Sequence, residues 1–460
     1  MSTKVELSFI KAMLPVITMI ILILLAVIVW EIPIHLAIFF ELIITVSLAL
    51  YWGHHWENIE KMLFSNFRDI GNIIMILLLI GMLIGVWIAS GTVPTMIYFG
   101  LKLINPKYFL LLSFVLTSAI SMAIGTAVGT TSTIGLALIS IASSLGFPLP
   151  LVAGAIISGS YVGDRMSPVS SIANITAYSA GVKIDQMVKH MIYSIIPPWI
   201  ISSLLYLILG LKYLPATIEL KQIRVLTSII AANFNISIWL LIPPLLIIIL
   251  AALKIPTLAN LTISILTSLA LGLIFNSTAA NSLLISMFSG FDSITGNPVI
   301  DNLLSRGGLT SMLELIALIM LVVLLGGLFE ELGILSKIIA RLVNTIQQKS
   351  QLILVTMISS IINAMLGCNQ LFSILLTGKM MQKKFDQMEI PRKELGRALG
   401  DSGLILSPLI PWNVNALMMV GILGVGTLEY MPYTFLPLLL PLSGALFGMK
   451  DIRSFNNEAC

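Results

Sequence analysis

The chain has 460 residues, of which 58% are hydrophobic and only 10% charged, and its formal net charge is +4. A soluble protein carries about 25% charged residues, so the composition excludes a soluble globular protein. The basic residues lie mostly in short connectors, which gives no sign of a nucleic-acid-binding surface. The two cysteines, Cys368 and Cys460, offer neither a disulfide framework nor a metal cluster. Residues 1–460 are therefore predicted to form one membrane domain.

Apolar runs of about 20 residues, the length that spans a bilayer, recur along the chain. They lie near residues 13–30, 33–51, 72–90, 191–211, 236–253, 257–275, 309–328 and 433–448. The first run lacks a small-residue cleavage site and is interpreted as a retained span, not a signal peptide. Residues 52–70 carry Trp52 and Trp56 and predict an amphipathic helix at the membrane surface. Counting hairpins, we expect an all-α polytopic membrane protein of about 11 to 12 membrane segments.

Three stretches are too polar for simple spans. They read SAISMAIGTAVGTTSTIG (118–135), SGSYVGDRMSP (158–168) and NAMLGCNQLFSILLTG (363–378). Close helix packing through small residues is one explanation for the first and third stretches. The other is a broken or re-entrant helix whose unwound backbone lines a cavity, where irregular backbone is tolerated at membrane depth. We expect residues 125–133 and 367–373 to be unwound, and the glycines and proline of 158–168 to stop a helix.

Glycines recur at a fixed interval and indicate an internal repeat. Gly85, Gly91 and Gly125 are followed 242 residues later by Gly327, Gly333 and Gly367. Gly163-Asp164 with Ser167-Pro168 is echoed by Gly400-Asp401 with Ser407-Pro408. We predict two structural repeats, 72–211 and 309–448, with opening spans in 12–51 and linking spans and a loop in 222–300. Fold logic favours an inverted orientation of the repeats.

A duplicated membrane domain with interrupted segments is typical of secondary transporters, which bind their substrate near the midplane where broken helices meet. A carboxylate at that depth costs several kcal/mol, so Asp164 is better explained by a binding site than by packing. Arg165 is expected to neutralise Asp164 or, less favoured, to attract a carboxylate substrate. The connector from Lys379 to Arg397 holds six basic residues against three acids and is predicted to be cytoplasmic.

Several stretches resemble the NhaC family of sodium/proton antiporters, with the closest likeness to its malate/sodium-lactate branch. They are PLPLVAGAIISGSYVGDRMSP (148–168), GMLIGVWIASGTVPTMIYFGLKL (81–103), DSGLILSPLIPWN (401–413) and LGVGTLEYMPY (423–433). The resemblance covers about residues 10 to 448. It implies an ion-transporter fold with re-entrant hairpins that exchanges Na+ for H+, sometimes with an organic acid carried along. It also implies a multi-pass protein of the cell membrane that is no enzyme and needs no cofactor beyond its coupling ions.

The resemblance, together with the polar stretches, suggests a set of site residues. The candidate substrate or ion ligands are Asp164, Ser167, Asn174, Thr130, Ser132, Asn369, Gln370, Asp401, Ser402 and Asn413. Asp164, Asp401, Asn174 and Asn413 are the candidate Na+ ligands. Glu330, Arg165 and Glu41 are candidates for gating or for carrying protons, although Glu330 could equally mark a helix end. We expect Asp164 and Asp401 to lie close together, with Asn174 and Asn413 beside them.

The chain departs from the family pattern at three acids. Ser171, Asn369 and Gly400 stand where the family has Asp, Asp and Glu. These losses predict a weaker Na+ site, or else an H+-coupled or Na+-independent carrier of a small organic solute, a carboxylate or an amino acid. A channel is disfavoured by the titratable acids, and an intramembrane enzyme by the lack of an HExxH motif. The expected partners are Na+, H+, a malate- or lactate-like acid and the bilayer, without nucleic acid; a homodimer is left open.

Overall fold

The computed structural model describes residues 7–65, 67–103, 105–213, 220–275, 279–297, 300–301 and 304–449. Within these ranges the fold is helical throughout, apart from one isolated backbone bridge between Phe291 and Arg306. This confirms the predicted all-α class.

The helices are numbered here in chain order, and adjoining helical turns are counted as one helix. They are α1 Phe9–Val29, α2 Ile34–Tyr51, α3 Trp56–Phe64, α4 Phe67–Ala89, α5 Thr92–Leu103, α6 Pro106–Ile124, α7 Ala127–Ser144, α8 Leu149–Met166, α9 Ser171–Ala180, α10 Ile184–Lys212, α11 Leu220–Asn233, α12 Ile238–Ala252, α13 Thr257–Phe275, α14 Ala280–Ser289, α15 Leu309–Glu331, α16 Ile334–Val343, α17 Lys349–Leu366, α18 Gln370–Gln387, α19 Arg392–Leu409, α20 Val414–Leu423, α21 Thr427–Tyr433 and α22 Phe435–Met449.

Long apolar helices make this a multi-pass membrane protein. Among the described residues, nine helices are long and apolar enough to cross a bilayer, and three bent helix pairs raise the number to as many as twelve. The predicted 11 to 12 segments fall within this range. The helix predicted over residues 52–70 is shorter in the structure: α3 covers Trp56–Phe64, with Ile59 buried and Trp56 57% exposed, and residues 67–70 already belong to α4. Such a short helix with one buried face suits the membrane interface.

The helices before and after the linking segment follow the same order. α15 starts and ends 242 residues after α4. In the same way, α18, α19 and α20 start and end 243 residues after α7, α8 and α9, respectively. A short helix, α5 or α16, follows the first member of each series. This matching order supports the predicted repeat, which enters the proposed function below.

The predicted helix stop at 158–168 is wrong over most of its length. α8 continues through Gly159 and Gly163 and ends at Met166, just before Pro168. A Cβ atom at Gly159 would collide with Phe114 and Thr117 of α6, and one at Gly163 with the backbone of Ser121. The glycines therefore allow α6 and α8 to approach closely, as small residues do between membrane helices. Every residue of α8 from Leu151 to Met166 is buried.

The predicted unwound segments are real but shorter than expected. Between α6 and α7 only Gly125 and Thr126 leave the helix, and Gly125 adopts a left-handed conformation with φ +78°. Between α17 and α18 the break covers residues 367–369. Residues 127–133 and 370–373 are helical, because Thr126 and Asn369 cap the new helices with their side-chain oxygens.

Candidate functional site

The two helix breaks meet at the buried end of α8. Asp164, which is 6% exposed, accepts a hydrogen bond from the backbone N–H of Ala127 (3.4 Å) and one from Nε2 of Gln370 (3.3 Å). Ala127 and Gln370 are the first residues of α7 and α18. The carboxylate therefore lies at the start of one helix from each series, where exposed N–H groups and the helix dipole favour negative charge.

Asp164 forms no salt bridge with a basic side chain among the described residues. Among the described residues, the salt bridges join other carboxylates to Arg165, Arg392, Arg397 and His190. A buried carboxylate without a counter-ion is costly unless it binds a cation or a proton. The geometry thus gives Asp164 the character of a cation-binding or proton-binding group.

Arg165 pairs with Asp401, so the expectation that it neutralises Asp164 is wrong. The Arg165 guanidinium contacts Asp401 Oδ1 and donates to Ser194 Oγ at 2.9 Å. Consecutive helix residues point about 100° apart at 3.6 residues per turn, so Asp164 and Arg165 face different neighbours. Ser194 also donates to Asp401 Oδ1 at 3.3 Å.

Asp401 belongs to a buried network of charges that is balanced within itself. Arg397 Nη1 donates to Asp401 Oδ2 at 3.1 Å and to the Gly444 carbonyl at 2.8 Å, and Arg397 Nη2 donates to Glu394 at 2.7 Å. His190 contacts the other oxygen of Glu394. Two arginines thus face two carboxylates, which leaves Asp401 no net charge to offset with an ion.

Glu394, Arg397 and His190 are site residues that were not among the candidates predicted from the sequence. Arg397 was assigned to a basic connector, yet it is 2% exposed and lies inside α19. The available signal was the spacing of Glu394, Arg397 and Asp401, three and four residues apart, which places all three on one helix face. Only the outer part of the connector forms a surface ion pair, in which hydrogen bonds from Arg392 hold the pKa of Asp386 below its usual range.

The two aspartates are near neighbours but occupy different positions in their helices. Arg165 follows Asp164 directly and contacts Asp401. The distance between the two carboxylates is therefore well below ~20 Å, the upper limit for two groups that share one site in a hydrocarbon core about 30 Å thick. α8 and α19 begin 243 residues apart, whereas the aspartates are 237 apart. The helix position that matches Asp164 is held by Ser407, and the one that matches Asp401 by Ser158.

The four predicted hydroxyl ligands donate their hydrogen bonds to backbone carbonyls. Thr130, Ser132 and Ser402 donate to carbonyls three or four residues earlier in the chain. Ser167 donates to the Met122 carbonyl at the end of α6. Among the contacts of the described residues, none of these four hydroxyls bonds to either aspartate, and Ser132 lines a cavity.

The three predicted asparagine ligands have structural partners. Asn174 is exposed and donates to the carbonyls of Pro168 and Ser170. Asn413 caps α20 and donates to Ala364 O at 2.9 Å, and Asn369 caps α18. The amides of Asn174 and Asn413 thus donate to backbone carbonyls, and their position beside the aspartates stays a prediction.

The two remaining acidic candidates, Glu41 and Glu330, lie in different parts of the molecule. Glu41, on α2, is buried and accepts hydrogen bonds from Thr18 and Thr45. Glu330 lines a cavity of about 230 Å³ that also reaches Gly367 and Asn369 at the second helix break. Glu330 is thus close to the break, whereas Glu41 belongs to the opening spans.

Two more cavities are lined by residues of the helix breaks. One of about 180 Å³ is lined by Thr126, Asn369 and Gln370, and one of about 370 Å³ by Gly125 and Thr126. The cavity of about 180 Å³ therefore reaches Gln370, the residue whose amide bonds to Asp164.

Comparison with known proteins identifies the family. A family model described as the Na+/H+ antiporter family matches residues 159–450. The chain is 34% identical to the malate-2H(+)/Na(+)-lactate antiporter of Bacillus subtilis (strain 168), over 88% of this chain and 87% of that protein. It is also 34% identical to the Na(+)/H(+) antiporter NhaC of the same organism, over 90% and 92%. It is 29% identical to the arginine/ornithine antiporter ArcD of Halobacterium salinarum, over 98% and 94%. With its multi-pass helices, this chain belongs to the Na+/H+ antiporter family and is a membrane transporter, not an enzyme.

Proposed function

We propose that this antiporter exchanges Na+ for H+ by letting the two ions bind in turn to Asp164. The observation that carries the proposal is the buried carboxylate of Asp164, which lies between two helix breaks without a counter-ion among the described residues. The family and the names of two relatives support the same pair of ions.

Exchange follows from the cost of burying charge. An ionised carboxylate at membrane depth costs several kcal/mol, and either a proton or Na+ removes that cost. Each ion therefore excludes the other, while the empty site is the least stable state. If the carrier switches the opening of this site from one side of the membrane to the other only when an ion occupies it, each Na+ that moves in one direction is exchanged for H+ that moves in the other.

Oxygen atoms for Na+ are available around Asp164 in spite of the missing acids. Thr126 supplies a hydroxyl, Gln370 an amide oxygen, and the two breaks supply peptide carbonyls near the ends of α6 and α17. Na+ is a hard cation that prefers such ligands, and unwound backbone serves this purpose in transporters. We propose that Asp164 is the only carboxylate in the shell, which makes the Na+ site weak.

Asp401 is assigned a structural task. Its pair with Arg165 fixes α8 against α19, one helix from each series, and its pair with Arg397 lies within α19. We propose that the two series are the predicted repeats and that this network keeps them in register around the ion site.

Reconstitution in liposomes tests the proposal. A Na+ gradient should drive proton movement, read from a trapped pH-sensitive dye, and Asp164→Asn should abolish it. Asp185→Asn, at an exposed carboxylate in the first turn of α10, is the matched control and should behave as wild type. Normal exchange by Asp164→Asn would rule out the assignment, and sodium-independent transport by the wild type would favour an H+-coupled organic-solute carrier.

A further inference from the structure

A cavity of about 370 Å³ lies between the first helix break and the turn that joins α12 to α13. Gly125 and Thr126 line it on the side of the break, and Lys254 and Thr257 line it on the side of the turn. α12 and α13 belong to the linking segment, outside both series of matching helices. Small-ligand pockets begin at about 300 Å³, so the cavity holds a molecule larger than a bare ion.

Lys254 gives the cavity a positive charge. Its side chain is exposed, and no salt bridge among the described residues includes it. None of the described residues that line the cavity is acidic. The cavity is therefore suited to an anion and unsuited to a cation.

The backbone of Lys254 is held in an uncommon conformation. Its φ is +63°, in the left-handed region that non-glycine residues rarely adopt. Asn or Gly would fit this turn with less strain, and strained residues concentrate at functional sites. This conformation closes the end of α12, where the N–H of Lys254 donates to Ala251 O and that of Ile255 to Leu250 O, and it holds Lys254 at the cavity.

Neutral polar groups complete the lining. Thr126, Ser132 and Ser171 supply hydroxyls, and Asn260 supplies a buried amide oxygen without a hydrogen-bond partner, which can accept from a hydroxyl group of a bound acid but not from its carboxylate. A pocket with one charged group and a few polar ones fixes the orientation of a small polar ligand.

We infer that this cavity binds a small organic carboxylate, with Lys254 as the anchor for its charge. The inference rests on the proposed function and deepens it, because the cavity reaches Thr126, next to the residue that bonds Asp164. When Na+ or H+ neutralises Asp164, no carboxylate charge opposes a bound anion there. Loading of the ion then favours loading of the acid.

Transport by the purified protein in liposomes tests the inference. L-lactate, L-malate and L-arginine, each radiolabelled, are offered to wild type and to variants, and Na+-driven proton movement is measured in parallel. Lys254→Asn removes the charge but tolerates the left-handed backbone, and Lys254→Arg keeps the charge. Lys183→Gln, at an exposed lysine before α10 that does not line the cavity, is the control.

We expect the wild type to move lactate or malate and not arginine. Lys254→Asn should lower the ratio of carboxylate uptake to proton movement by about tenfold, the effect of one charge-assisted hydrogen bond, while Lys254→Arg and Lys183→Gln stay near wild type. Three results would overturn the inference: Na+/H+ exchange without uptake of either acid, preference for arginine, or an unchanged ratio in Lys254→Asn. A fourth result separates the two proposals. If the wild type takes up carboxylate without Na+/H+ exchange, and Lys254→Asn loses this uptake, the proposed function is refuted while the Lys254 site is supported.

Discussion

Asp164 and Asp401 share a Gly-Asp sequence and near-complete burial, yet their surroundings differ. Asp401 contacts two arginines and a serine, whereas Asp164 accepts one backbone N–H and one amide N–H. A buried carboxylate paired with arginine has its charge satisfied by the protein, and one without such a partner must find a mobile cation. The neighbours of a buried acid, more than its sequence motif, therefore decide whether it holds the fold together or binds an ion.

The largest expected effect falls on stability at Asp401. Among the described salt bridges, Asp401→Asn leaves Arg165 without a carboxylate partner and Arg397 with Glu394 alone, and breaking a buried pair in this way costs about 3–5 kcal/mol. The apparent melting temperature in detergent should fall steeply. In the same assay Asp164→Asn should match or exceed wild type, because it removes an unpaired buried charge.

A double variant controls for other effects of the Asp401 change. Arg165→Met added to Asp401→Asn removes the stranded cation and should recover part of the lost stability. Equal melting temperatures for Asp401→Asn and wild type would show that the two aspartates are not distinguished by their pairing.

The next effect concerns Gln370, the residue of the second series that reaches Asp164. Gln370→Leu removes a hydrogen bond to a charged group, worth about 1.5–3 kcal/mol, together with an oxygen that Na+ can use. We expect the apparent Na+ affinity in the liposome assay to fall by about tenfold or more. Gln382→Leu, on the same helix with its amide bonded to the Ser179 carbonyl, is the control for a simple loss of packing.

The smallest effect is expected where an acid is restored. Ser171→Asp places a carboxylate in the cavity beside Thr126, and Asn369→Asp keeps the helix cap while adding a charge at the second break. Each should raise apparent Na+ affinity by about twofold to fivefold, the range of a partly screened charge pair. If neither variant changes the sodium dependence, the missing acids do not explain a weak site.

Much of the fold could be predicted from the sequence because a bilayer constrains it strongly. Spans must be apolar over about 20 residues, which located most long helices, and the polar stretches at 118–135 and 363–378 marked both breaks. Their length was overestimated, since Thr126 and Asn369 restart a helix at once by capping it. The glycines of α8 were misread because glycine both breaks helices and lets them pack closely.

Less of the candidate site could be predicted. Asp164, Gln370 and Arg165 were identified, but not the partners that separate their roles, because Arg165 and Asp401 are 236 residues apart and a sequence gives no pairing at that distance. The repeated Gly-Asp pair suggested that the two aspartates occupy equivalent positions. When α8 and α19 are aligned at their first residues, however, the aspartates lie six residues apart. At 1.5 Å per residue, this is a difference of about 9 Å along the helix axis.

The most direct test of the central claim is Na+ binding to the purified antiporter as a function of pH, measured with radioactive Na+. If one proton and one Na+ compete for Asp164, the apparent dissociation constant should rise tenfold for each unit of pH below the pKa of the site. Asp164→Asn should bind no Na+ at any pH, while the Asp401→Asn protein that remains folded should retain the competition. A sodium affinity that does not change with pH, or full binding by Asp164→Asn, would contradict the account.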